Sequence, residues 1–146
     1  MTPDRRLYFL LSRADRAVTT HVNERLLATL GVTAAQLGAL YHVAKDPGCS
    51  MTDVARLLDL QKSAVSGVVG RLERAGLVCR ESNDDDARGM RIFVTEKGEA
   101  VRGASVALVR KLTADMTRGF DGAELDVVVR FLGSLVGRFG DESVGD

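Results

Sequence analysis

The stretch QKSAVSGVVGRLERAGLV, residues 61–78, gives one helix two different surfaces. Val65, Val69 and Leu72 recur every three or four residues and form an apolar stripe. Opposite them run Ser63, Gly67, Gly70 and Arg74, with Lys62 and Ser66 alongside. Two glycines inside a helix cost roughly 1 kcal/mol each relative to alanine, so the bare backbone needs a reason. Hydroxyls that donate or accept, backbone without side-chain bulk and the cations of Lys62, Arg71 and Arg74 suit close contact with a polar, anionic surface.

Other chemistry finds little support. The sequence has no GxxxxGK[ST] and no GxGxxG, so no phosphate-cradling loop is indicated, and no GxSxG nucleophile elbow. The histidines, His21 and His42, have no adjacent nucleophile. The acidic run Asn83-Asp84-Asp85-Asp86 fails the calcium-loop pattern, because its alternate positions lead to Arg88. Gly67-Val68-Val69-Gly70 has the spacing of an RNA-binding GXXG loop but lacks the flanking strands. No catalytic centre, metal site or cofactor is expected.

Helices dominate the elements that must position this surface. A long first helix, capped by Asp4, carries Leu7, Leu10, Leu11, Ala14, Val18, Val22 and Leu26 at helical spacing and ends at Gly31. Thr33 and Gln36 form a capping-box pair that opens a second helix, with Leu37, Leu40, Tyr41 and Ala44 as its apolar face and Pro47-Gly48 as its stop. Ser50 or Thr52 caps a short third helix, and the 61–76 helix follows. Residues 77–81 and 91–95 read as strands of a hairpin whose tip is the polar run SNDDDARGM. A long helix from Glu96 to about Met116 and a last one from Asp121 complete the chain, the latter with Leu125, Val128, Val129, Leu132, Leu135 and Val136 on one face.

Residues 51–72 fit a helix-turn-helix. Ala55 is the small residue where the two axes approach, Asp59 tolerates the left-handed turn, and Val65 points back at the first helix, with Val54, Leu60 and Val68 beside it. In this motif the second helix enters the major groove of DNA. The hairpin that follows turns it into a winged helix. At the wing tip Arg88 is suited to a narrow minor groove, where negative potential is enhanced, and Asp86 to bracing the loop. Asp84 and Asp85 make that tip more acidic than a DNA-contacting wing requires.

The sequence resembles the MarR family of dimeric winged-helix transcription regulators. The resemblance rests on LGVTAAQLGALYHV, on MTDVARLLDLQKSAVSGVVGRLERAGLV and on DDARGMRIFVTEKG. The last piece parallels the family pattern Asp-x-Arg, strand, Leu-Thr-x-x-Gly, here Asp86, Arg88 and then Val94, Thr95 and Gly98. The resemblance implies a mainly α fold with a small β-hairpin wing: a winged helix-turn-helix at 31–98, and long dimerisation helices at 1–30 and 99–146. It also implies a homodimer on a palindromic operator in double-stranded DNA, with Lys62, Ser63, Ala64, Ser66 and Arg88 at DNA-touching positions and Gly67, Arg71 and Arg74 beside them. Three positions depart from the pattern. Gln61 stands where a serine cap is usual, Gly67 and Gly70 replace positions that are often charged, and Ala87 replaces a common second wing arginine.

The family implies a repressor released by a small aromatic or anionic effector, bound in a cleft that Tyr8, Arg16, His21, Tyr41 and His42 would border. Composition fits a cytoplasmic protein with no membrane partner. Of 146 residues 45% are hydrophobic and 27% charged, no 18-residue apolar run occurs, no signal peptide is evident, and the two cysteines, Cys49 and Cys79, form no framework. The formal net charge is zero, so DNA binding must come from a local arrangement. That neutrality and the acidic wing tip support one rival, a helical dimerisation module whose winged helix binds protein.

Overall fold

The computed structural model describes residues 5–58, 60–82 and 89–140. Asp4, Asp59, Asp86 and Arg88 lie outside the described residues. The elements are α1 (Leu7–Leu30), α2 (Ala34–Lys45), α3 (Met51–Leu58), α4 (Lys62–Arg74), β1 (Val78–Ser82), β2 (Met90–Val94), α5 (Glu96–Thr117) and α6 (Gly122–Phe139). The chain is mainly helical with one antiparallel hairpin. Internal contacts divide it into two compact units between Leu108 and Val109.

In the first unit, α2, α3 and α4 pack on one another, α2 and α3 also on β2, and α4 on β1. Their core contains Leu26, Val32, Leu37, Ala39, Leu40, Val43, Val54, Val65, Val69, Leu72, Leu77, Val78 and Ile92. Reciprocal bonds open α2: Gln36 N–H donates to Thr33 Oγ1 (3.2 Å), and Thr33 N–H to Gln36 Oε1 (2.9 Å). Asn23 of α1 accepts from Ala34 N–H at 2.8 Å and ties the two helices together. Between the two candidate caps of α3 the structure selects Ser50. Its hydroxyl accepts from Asp53 N–H (3.1 Å), and its own N–H donates to Asp53 Oδ2 (3.0 Å). Hydrogen bonds from Ser50 hold the Asp53 carboxyl below the usual carboxylate range.

The hairpin pairs Val78 with Val94 and Arg80 with Ile92, so both strands begin and end one residue from the predicted bounds. Gly48 N–H donates to Ile92 O (2.9 Å) and Ile92 N–H to Cys49 O (3.1 Å), which gives β2 a short second neighbour. The predicted α2 face is also rotated. Val43 is buried where Tyr41 was expected, because the Tyr41 hydroxyl instead bonds Ser105 Oγ on α5 at 2.7 Å.

At the start of α5 the backbone comes unusually close to the residue that precedes β1. A Cβ added at Gly98 would lie 2.1 Å from Leu77 O and 2.7 Å from Val94 Cγ1. Only glycine fits there without moving backbone.

The second unit contains the end of α5 and α6. Asp121 and Glu124 cap α6 reciprocally, at 2.8 and 2.9 Å. None of its residues is buried, although Val129 and Val136 are 69% and 70% exposed and Val128, Leu132 and Phe139 also face outward.

Gly98→Ala should destabilise the first unit by about 1–3 kcal/mol, the range for an overpacked site. Urea denaturation of the variant checks this, and an unchanged midpoint would show that the junction is looser than the distances state.

Candidate nucleic-acid interface

Helix α4 is held by its apolar stripe. Val65, Val69 and Leu72 are each at most 1% exposed, and Val68 joins them at 7%. Val54 of α3 is fully buried against the same core, as a helix-turn-helix requires. Burying each such side chain contributes about 1.5–3 kcal/mol, and together they outweigh the roughly 2 kcal/mol intrinsic cost of the two glycines.

The other side of α4 is open. Ser63, Ala64, Ser66, Gly67, Arg71 and Arg74 are all exposed. Lys62 begins the helix, and its side chain lies outside the described residues. A Cβ at Gly67 would meet nothing within 4 Å, so no packing within the chain requires glycine there. Gly70 is half-buried beneath Arg74, whose Nη1 lies 3.7 Å from the position of an added Cβ. Ser63, Ala64, Ser66, Gly67, Arg71 and Arg74 thus share one solvent-facing side of the helix. Gln61, the N-cap, offers no side-chain hydrogen bond, as its departure from the serine pattern suggested.

Charge on this face is uneven in a useful way. Arg71 and Arg74 place two exposed cations on the last turns. The acidic residue between them, Glu73, is engaged by Arg80 of β1, with Nε 2.8 Å from Oε2. That pairing lowers the repulsion an anionic partner would meet from Glu73.

A pocket of about 420 Å3 lies in the same unit, lined by Gly38, Tyr41, His42, Ala44, Lys45, Leu57 and Arg102. It brings together Tyr41 and His42 of the predicted cleft. Tyr8, Arg16 and His21, all exposed on α1, do not line it. Sequence reading missed Lys45 and Arg102, because Arg102 reaches the pocket only through the packing of α5 on α2. The Arg102 guanidinium sits 6.0 Å from the centre of the Tyr41 ring and bonds Glu99 through Nε (2.9 Å) and Nη2 (2.6 Å). The buried His42 Nε2 has no hydrogen-bond partner among the described residues.

The cysteines stand apart from both sites. Burial, followed by the charges of Asp46 and Asp53, pushes the Cys49 thiol up, away from the thiolate form. Cys79 is free and exposed on β1. Among the described residues no group of three or more His, Cys, Asp or Glu could hold a metal ion, and no single helix is long and apolar enough to cross a membrane.

The sequence profile of the MarR family matches residues 30–89, which run from α2 through β1. Over these residues the chain is similar to the MarR family. A Mycobacterium tuberculosis protein named as an HTH-type transcriptional repressor is 28% identical over 128 residues, covering 82% of this chain and 91% of that one. Among solved structures, MepR of S. aureus, determined as a DNA complex, superposes on this chain with a TM-score of 0.83 at 18% identity, covering 91% of this chain and 98% of that one. BpsR of Bordetella bronchiseptica, whose DNA binding is regulated by 6-hydroxynicotinic acid, gives 0.80 at 24% identity, with 90% and 98% covered.

Gly67→Ala adds a methyl group to open space in mid-helix and should raise stability by up to about 1 kcal/mol. Chemical denaturation reads this directly. A loss of stability would mean that Gly67 is packed and not presented to solvent.

Proposed function

We propose that this chain is a homodimeric, sequence-specific DNA-binding regulator of transcription in the MarR family, acting as a repressor that a small ligand releases. The observation that carries the reading is the exposed stripe of α4, where hydroxyls, bare backbone and cations face outward from a helix firmly seated on its other side. Residues 31–98 form the DNA-binding domain in this reading, and 1–30 with 99–146 form the dimerisation region. Ser63, Ala64, Ser66 and Gly67 meet base edges, Lys62, Arg71 and Arg74 meet phosphates, and Arg88, braced by Asp86, enters the minor groove. The curated repressor among its relatives supports this assignment.

A second copy of the chain is the partner that best fits the apolar residues left uncovered on α6 and at the start of α1. Val127, Val129, Val136 and Phe139 are more than half exposed, as are Tyr8 and Phe9. Two copies would set their α4 helices about 34 Å apart, one turn of DNA. A palindromic operator follows from the symmetry of such a pair.

The pocket beside α2 is the proposed effector site. Lys45 and Arg102 offer positive charge at its edge, His42 Nε2 is available for a hydrogen bond, and Leu57 and Ala44 supply apolar surface. A small aromatic or anionic compound suits that lining. Tyr8, Arg16 and His21 would contribute only by closing over the pocket in the assembled dimer. A ligand releases DNA to the extent that it binds the non-competent arrangement more tightly than the competent one.

Binding to DNA from upstream of the chain's own gene should weaken steeply with salt, with a log–log slope of about −0.9 for each phosphate neutralised. Arg88→Ala should lower affinity and leave thermal stability unchanged. Ser63→Ala combined with Ser66→Ala should remove about 1–3 kcal/mol of base discrimination; an equal loss on every sequence would reassign both serines to phosphates. No binding at low salt would favour the protein-binding module instead.

Sedimentation at micromolar concentration should show a dimer. A clean monomer would contradict the pairing of the helical faces.

A further inference from the structure

We infer that Thr95 and Lys97, in the turn between β2 and α5, are positioning residues that set the aim of α4. The inference rests on the reading of α4 as the DNA-recognition helix. A helix ends with carbonyls that have no partner within it. In α4 two of these are satisfied locally, by Leu77 N–H to Leu72 O (2.9 Å) and Gly76 N–H to Glu73 O (3.0 Å). Gly76, at φ 76°, makes this closure without strain. Past the end of α4, the carbonyls of residues 75–77 are all taken by the 95–97 turn. Lys97 Nζ donates to Ala75 O (2.9 Å), Thr95 Oγ1 to Gly76 O (2.6 Å) and Thr95 N–H to Leu77 O (3.0 Å).

The Thr95 hydroxyl is itself held in place. It accepts from Gly98 N–H at 3.0 Å while donating to Gly76. Gly98 lets the first turn of α5 close onto Leu77 at a distance no other residue allows. At the opposite end of α4, Gln61 supplies no side-chain cap bond. The recognition helix is therefore clamped at its C-terminus, and the clamp is the start of α5, which runs unbroken to Thr117. A displacement of the first turn of α5 is carried through three consecutive carbonyls to Ala75, Gly76 and Leu77, the residues that close α4. In a dimer on two half-sites, this coupling fixes the separation at which both α4 helices fit the groove.

The test measures DNA affinity by fluorescence anisotropy on operators whose half-sites keep their native separation or are moved closer or apart by a base pair. Thr95→Val removes the hydroxyl at nearly constant volume, and Thr95→Ser restores it. The wild type should favour the native separation by about tenfold or more, comparable to one mismatched base pair, and Thr95→Val should reduce that preference to about threefold or less. Thr95→Ser should recover it. Lys97→Met, a change at an exposed side chain, should reduce it in the same direction and gives the readout if Thr95→Val fails to fold. A Thr95→Val protein with the wild-type preference at any overall affinity, or a Thr95→Ser protein no better than Thr95→Val, overturns the inference alone. A wild type that binds no DNA, or binds all separations equally, overturns the reading of α4 and this inference with it.

Discussion

The structure of the first unit depends on one constraint: α4 must be pressed into a core on one side while its other side stays free of bulk. The two demands compete. Gly67 and Gly70 weaken the helix, and its N-terminus has no side-chain cap. In water a short helix of this kind would be marginal, and tertiary packing supplies the difference. Val65, Val69 and Leu72 provide it through nearly complete burial. The C-terminal closure at Gly76 and the bonds from Thr95 and Lys97 finish the support.

This arrangement reconciles a neutral chain with an anionic partner. Net charge governs long-range attraction, while groove contact depends on which charges stand on the contacting face. On the last turns of α4, Arg71 and Arg74 face solvent while Glu73 is drawn to Arg80. The local field is thus more positive than the composition implies. A similar pairing stands at the pocket beside α2, where Glu99 engages the Arg102 guanidinium.

Much of this was legible in the sequence, and what was not has physical causes. The stripe of α4, the Thr33–Gln36 capping box and the turn at Gly31 are local signals with fixed spacing, and each is present. Tyr41 was misplaced on the α2 core face because its deciding contact, Ser105, is 64 residues away. Arg102 was invisible as a pocket residue for the same reason. Thr95 and Gly98 were visible as a family pattern, but spacing alone could not reveal that they accommodate the carbonyls of residues 75–77. The strand ends shifted by one residue because hairpin register is set by cross-strand pairing such as Val78 with Val94. Of the predicted wing contacts, Asp86 and Arg88 lie outside the described residues.

The central claim is that the exposed stripe of α4 contacts the bases. Placing a cysteine at Ser66 and a disulfide-activated thiol on successive operator bases tests it most directly, with Cys79 replaced by serine to remove the competing exposed thiol. The account predicts cross-links confined to a few major-groove positions in each half-site, at symmetric places in the palindrome. Cross-linking spread evenly along the duplex, or none at a protein concentration that saturates the DNA, would contradict it.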